Sequence, residues 1–188
     1  MENWTKKNAL WMVLYAVLYA LTTAIVCVTG AIHPIQIEGY QITAGILITG
    51  IVIFAFDRVK APGAAICLGA GMLLLLVIIG DAVAWHVIPV ILIALLAEAV
   101  RALFHYHWTG NLIAAVIMTF SSFGYYGQIW FNRAYTYQCA LEEMPAGYGD
   151  TLMASSPVWS FPLVIIAGIA MAMIIANVTA HLFHLEKS

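Results

Sequence analysis

The chain has 188 residues, of which 64% are apolar and only 9% charged, and its 7 basic and 9 acidic side chains leave a net charge of −2. Its mean hydropathy is +0.97. A soluble domain usually carries about 25% charged residues, so the soluble class is excluded. The lack of any basic tract excludes a nucleic-acid partner.

The first apolar run follows Lys6-Lys7 and predicts a helix over 9–30. It is longer than the roughly 7–15 residues of a signal-peptide core and meets no small-x-small cleavage site, so it is a membrane span. No formal charge falls between Lys7 and Glu38, Glu38 and Asp57, Lys60 and Asp81, Asp81 and Glu98, Arg101 and Arg133, or Asp150 and Glu186. Each interval is about as long as a bilayer-crossing helix, which needs roughly 20 residues. Further helices are predicted over 41–56, 62–80, 84–104, 109–131 and 159–184, giving an all-α, six-helix transmembrane bundle in a single integral membrane domain over 1–188. Six crossings put both termini on one side. Lys6, Lys7, Arg58, Lys60, Arg101 and Lys187 share that side and Arg133 stands alone opposite. Basic residues in short loops stay inside, so both termini are expected in the cytoplasm of a multi-pass cell-membrane protein.

Along the first span, Ala16, Ala20 and Ala24 recur at every fourth position. Such a stripe lets another helix approach closely, and it is open to two readings: packing within the chain or docking of a partner. Pro62-Gly63 opens the third span, where proline suits a helix start. Near the inner end of the fourth, Glu98 and Arg101 stand at i, i+3 and read as an ion pair at the interface. The functional alternative is that intramembrane charges mark a path through the bilayer. The stretch 132–158 is expected to be a long outer loop, and a structureless connection of that length commonly acts as a lid or binding loop.

Candidate ligand-binding residues gather at the outer ends. His33, Gln36 and Tyr40 come from the first outer loop; Trp85 and His86 flank the next; Tyr126, Trp130, Arg133, Tyr135, Tyr137, Tyr148 and Asp150 follow. The aromatics suit either the interfacial belt of any membrane protein or the walls of a site for a flat, polar-edged small molecule. Arg133 could hold a ligand carboxylate or phosphate, or pair with Glu142, Glu143 or Asp150. His33 and His86 could ligate a haem iron from two sides or simply bond at the interface. Cys27, Cys67 and Cys139 show no metal or disulfide spacing and read as packing residues. No HExxH, GxSxG, phosphate-binding lysine loop or GxGxxG occurs. An enzyme is therefore not expected, nor a resident cofactor or metal.

Asp57-Arg58-Val59-Lys60 before the glycine-rich third span, Leu95-Leu96-Ala97-Glu98 closing the fourth, and Ala146-Gly147-Tyr148-Gly149 through Pro157-Val158-Trp159 occur in a distinctive order. In this the chain resembles the S component of an energy-coupling factor (ECF) transporter, and more narrowly the Trep_Strep family. The resemblance implies a substrate-capture subunit that binds a vitamin-like micronutrient from outside. It also implies partners: a membrane-embedded T subunit and two ABC-type ATPases, which would hydrolyse the ATP. Ala16, Ala20 and Ala24 would then form the docking groove. The ligand would be flat and aromatic, either haem, with His33 and His86 as axial candidates, or a vitamin. The competing expectation is an autonomous small secondary carrier or channel.

Overall fold

A computed structural model describes residues 3–185 of the chain. Lys187, counted above among the inner charges, lies outside the described residues. Among the described residues the regular structure is entirely helical.

α1 runs over Lys6–Thr29, opened by the Thr5 side chain, which accepts a hydrogen bond from the Asn8 amide at 3.1 Å. A short α2, Pro34–Glu38, precedes α3, Tyr40–Leu47, and α4, Thr49–Arg58. α3 and α4 together cover the predicted second span, overrunning it by a residue or two at each end, and bend by 40° at their junction. The Thr49 hydroxyl bonds back to the Gly45 carbonyl at 2.7 Å there, a contact that bends helices. α5 covers Ala64–Ile78 and α6 Ala84–Leu103. The predicted fifth span is divided. α7, Trp108–Met118, runs into a 3₁₀ turn over Thr119–Ser122, followed by one-turn α8, Phe123–Tyr126, and α9, Gln128–Phe131. The long α12, Ser160–Leu182, closes the bundle.

The stretch 132–158 is not a structureless loop. It folds into α10, Arg133–Glu143, and α11, Tyr148–Ser155, packed on each other and turned at Gly147, whose φ of 82° suits glycine. Its alternation of polar and aromatic residues carries no long apolar run, which is why hydropathy alone hides the helices.

α1, α6 and α12 are each long and apolar enough to cross a membrane, and α3 with α4 make a fourth if taken as one bent segment. α5, at 15 residues, is apolar but shorter. α1 packs on α5, α5 on α6, α6 on α7, and α3 on α12. The bilayer-facing sides stay apolar: Leu10, Val13, Leu14, Val17, Leu21 and Ile25 line the uncovered face of α1.

Polar side chains complete the broken fifth segment. Thr119 and Ser121 hydroxyls donate to the Val116 and Met118 carbonyls. The Gln41 amide donates to Thr119 Oγ1 at 2.8 Å and accepts from the Tyr126 hydroxyl at 2.5 Å, while Tyr19 donates to the Met118 carbonyl at 2.9 Å. These bonds satisfy backbone and side-chain groups that the break in the α-helix would otherwise leave open.

The Glu98–Arg101 pair is not an exposed interfacial contact. Arg101 is 0% exposed. Its Nη1 donates to Glu98 Oε2 at 3.1 Å, its Nε to Asn111 Oδ1 at 3.0 Å and its Nη2 to the Val59 carbonyl at 3.2 Å. The guanidinium lies 4.1 Å from the Phe56 ring centre and 5.1 Å from that of Tyr106. Glu98 in turn accepts the Gly63 and Ala65 amides at 2.8 and 3.0 Å, satisfying donors that the start of α5 would otherwise leave open. One carboxylate and one guanidinium thus tie α4, α5, α6 and α7 together at this end.

The alanine stripe is likewise used within the chain. Ala20 is buried, and a methyl group built on Gly71 of α5 would sit only 2.9 Å from both the Cβ and the carbonyl of Ala16. α1 and α5 therefore meet backbone to backbone along this stripe. Ala16 and Ala20 do not form an open groove, and Ala24, further along the same face, looks into the cavity described next.

Candidate functional site

At the end of the bundle opposite the Glu98–Arg101 cluster lies a partly enclosed cavity of about 570 Å³. That size falls within the roughly 300–1,000 Å³ of small-molecule sites. Ala24, Cys27, Val28 and Ala31 of α1 and the turn after it form one wall, with Ile37 and Tyr40 beside them. Met72 and Leu75 of α5, Ile79 just after it, and Asp81, Trp85 and His86 near the start of α6 form another. Gly124, Tyr125 and Gln128 complete the sides, and Tyr135, Thr136, Cys139, Ala140, Glu143, Met144, Tyr148 and Leu152 come from the α10–α11 hairpin as a roof.

The wall near α6 is built with some exactness of fit. A methyl group on Gly124 would fall 2.1 Å from the Trp85 carbonyl, so only glycine lets α8 approach α6 this closely. The approach brings the Tyr125 ring parallel to the His86 ring at 3.7 Å between centres. His86 Nδ1 lies 3.2 Å from Asp81 Oδ1, and the Tyr125 hydroxyl donates to Asp81 Oδ2. Tyr40 donates to the Cys27 carbonyl, closing the gap between α1 and α3. Trp85, 53% exposed, stands at the rim.

The roof is pinned at several points. The Tyr148 hydroxyl donates to the Gly30 carbonyl at the end of α1, and burial raises its phenol above the usual tyrosine value. Tyr137 donates to Asp150 Oδ1 at 2.8 Å, joining α10 to α11 on the outer surface. Arg133 donates to the Ser156 carbonyl at 2.5 Å, the Met153 carbonyl at 2.9 Å and the Ile129 carbonyl at 3.4 Å. A cation at a helix C-terminus both fills open carbonyls and suits the helix dipole.

Of the twelve residues expected to bind ligand, Tyr40, Trp85, His86, Tyr135 and Tyr148 line the cavity. The others stand elsewhere. Arg133 holds backbone carbonyls and pairs with neither a ligand site nor the expected Glu142, Glu143 or Asp150. Tyr126 is fully buried on Gln41, and Trp130 donates to the Pro157 carbonyl and Ser160 Oγ, each at 3.2 Å, behind the cavity. Tyr137 and Asp150 bond each other outside the roof. His33 caps α2, its Nδ1 accepting the Ile35 amide at 3.2 Å, and Gln36 is exposed on the same helix. Only His86 of the two outer histidines reaches the cavity, so the two-sided haem ligation has no second imidazole there.

Sequence reasoning missed Thr136 and Glu143 as lining residues, and the two cysteines Cys27 and Cys139 beside them, whereas Asp81 and Tyr125 were legible among the polar and aromatic residues at the helix ends. Helical spacing on 133–143 would have found three of these: Thr136, Cys139 and Glu143, with Tyr135 and Ala140, fall on one face of α10. Thr136 Oγ1 is buried without a hydrogen-bond partner.

A family model described as a hypothetical bacterial integral membrane protein (Trep_Strep) matches residues 6–187 of the chain. No curated protein and no solved structure matches it.

Proposed function

We propose that this chain, which belongs to the Trep_Strep family of bacterial integral membrane proteins, is the substrate-capture subunit of an ECF-type importer. The observation that carries this reading is the cavity of about 570 Å³ roofed by a helical hairpin at one end of the bundle. An aromatic, partly polar chamber of that size suits a small molecule with a flat ring system. The distribution of Lys and Arg favours a topology of six crossings with both termini inside, which turns the chamber outward. In that topology α5 is the short third span, and α7 through α9 make a broken fifth.

Capture needs a way in, and the exposed rim at Trp85 and Tyr135 offers it between α6 and the roof. Energy for release would come from partners, a T subunit and two ATPases. Because α5 occupies the alanine stripe, the T subunit would meet the other face of α1, where Leu10, Trp11, Val13, Leu14 and Val17 line a shallow apolar groove. The carrier or channel alternative asks for unsatisfied charge along a path through the bilayer. Arg101 and Glu98 are bonded on every side and give it no support.

The test is retention of a small molecule. Protein purified from its native membrane should carry a near-stoichiometric ligand detectable by mass spectrometry. Ala31→Trp, at an exposed position of the chamber wall, should abolish retention while leaving the helical spectrum unchanged. Uptake into vesicles by the chain alone, without partner subunits, would instead establish an autonomous carrier.

A further inference from the structure

We propose that the chamber selects a flat nitrogen-heteroaromatic cation, and that Asp81 and Glu143 are the residues that set this charge preference. The inference rests on the capture reading and specifies the ligand class of that same site.

The charge census of the lining carries it. Asp81, Glu143 and His86 are the only charged or readily charged side chains among the lining residues, and no Lys or Arg is among them. Arg133, the cation nearest in sequence, is spent on three backbone carbonyls. If His86 is neutral, the chamber holds two carboxylates without a counter-charge. If it is an imidazolium, it offsets Asp81 at 3.2 Å and Glu143 is still uncompensated. The balance is negative either way. A concave, low-dielectric wall concentrates that field on whatever enters.

The walls supply the second half of cation recognition. Tyr40, Trp85, Tyr125, Tyr135 and Tyr148 present aromatic faces or edges to the same space. Ring faces attract cations, the more so where water is excluded. The Asp81 carboxylate is held in place by Tyr125 and His86 yet keeps 37% of its side chain exposed. It is oriented without being closed off. An anionic ligand would meet two carboxylates with no basic residue to balance it, and like charges at short range oppose binding.

The experiment uses the full chain in lipid nanodiscs and three probes of one ring system: N-methylquinolinium, quinoline and quinoline-2-carboxylate. Binding is read by quenching of tryptophan fluorescence, with isothermal titration as a check. The cation should bind about ten-fold tighter than quinoline, equal to about 1.4 kcal/mol, and the carboxylate weakest of all. Glu143→Gln, at an exposed position that leaves the packing intact, should narrow the cation-to-neutral ratio several-fold, and Asp81→Asn further. Equal or tighter binding of the carboxylate, or a ratio unchanged in both variants, overturns the assignment. Mass spectrometry of the co-purified molecule separates the two levels. A retained cation supports the assignment even where the quinoline probes bind poorly. A retained anion or neutral molecule overturns it while capture stands. No retained molecule and no probe binding removes both.

Discussion

The two ends of this bundle use the same kinds of side chain to opposite effect. At one end Arg101 spends its guanidinium on Glu98, Asn111 and the Val59 carbonyl, and Glu98 spends its carboxylate on Arg101 and two backbone amides. At the other, Asp81 is held by Tyr125 and His86 but still faces a cavity, Glu143 lines that cavity without a cation beside it, and Thr136 Oγ1 has no partner. A buried charge whose bonds are complete is part of the scaffold. A carboxylate that is held in place yet still exposed to a cavity, as Asp81 is, remains open to a ligand.

The contrast is broken most severely at the saturated end. Arg101→Met strands the Glu98 carboxylate in the interior, and removing one member of a buried pair costs about 3–5 kcal/mol. Size-exclusion profiles and thermal melts in detergent should show loss of folded protein, with Arg101→Met/Glu98→Gln recovering part of it. Ala20→Trp comes next: it drives a ring into the α1–α5 contact, and overpacking costs about 1–3 kcal/mol. A lower melting temperature with retained ligand stoichiometry is expected. If Ala20→Trp is as stable as the parent, the stripe is not closed by α5.

Milder changes sharpen the open end. Tyr148→Phe removes the bond that fastens the roof to Gly30, worth about 1 kcal/mol. Stopped-flow measurement should show ligand leaving about five-fold faster with little change in melting temperature. Tyr137→Phe removes only an exposed bond to Asp150, and an effect below about 0.5 kcal/mol is expected in melts and binding alike.

Hydropathy and charge spacing recovered the helix limits closely. Helices over 9–30 and 84–104 were expected, and α1 and α6 cover Lys6–Thr29 and Ala84–Leu103. What stayed hidden depends on pairing across the fold. The break at Thr119–Ser122 looks like uninterrupted span in sequence, because it is stabilised by Gln41, which lies 78 residues earlier than Thr119. Arg133 looked available because a lone charge on the outer side has no obvious task, whereas its partners are carbonyls, which sequence cannot display. The roof helices were missed because a polar, aromatic stretch reads as loop to any scale built on apolar runs. Tyr40, Trp85, His86, Tyr135 and Tyr148 were legible as site candidates because they sit where helices end, and the cavity is made of helix ends.

The capping of α5 by Glu98 has a bearing on how the protein is made. Ala65, whose amide Glu98 receives, is synthesised 33 residues before that carboxylate exists. α5 itself is only 15 residues long, about 22 Å at 1.5 Å per residue, against a hydrocarbon thickness of about 30 Å. Before α6 is made, the amides at the leading end of α5 have no side-chain acceptor. The start of α5 is therefore completed only once α6 is in place, because α6 carries the carboxylate that caps it.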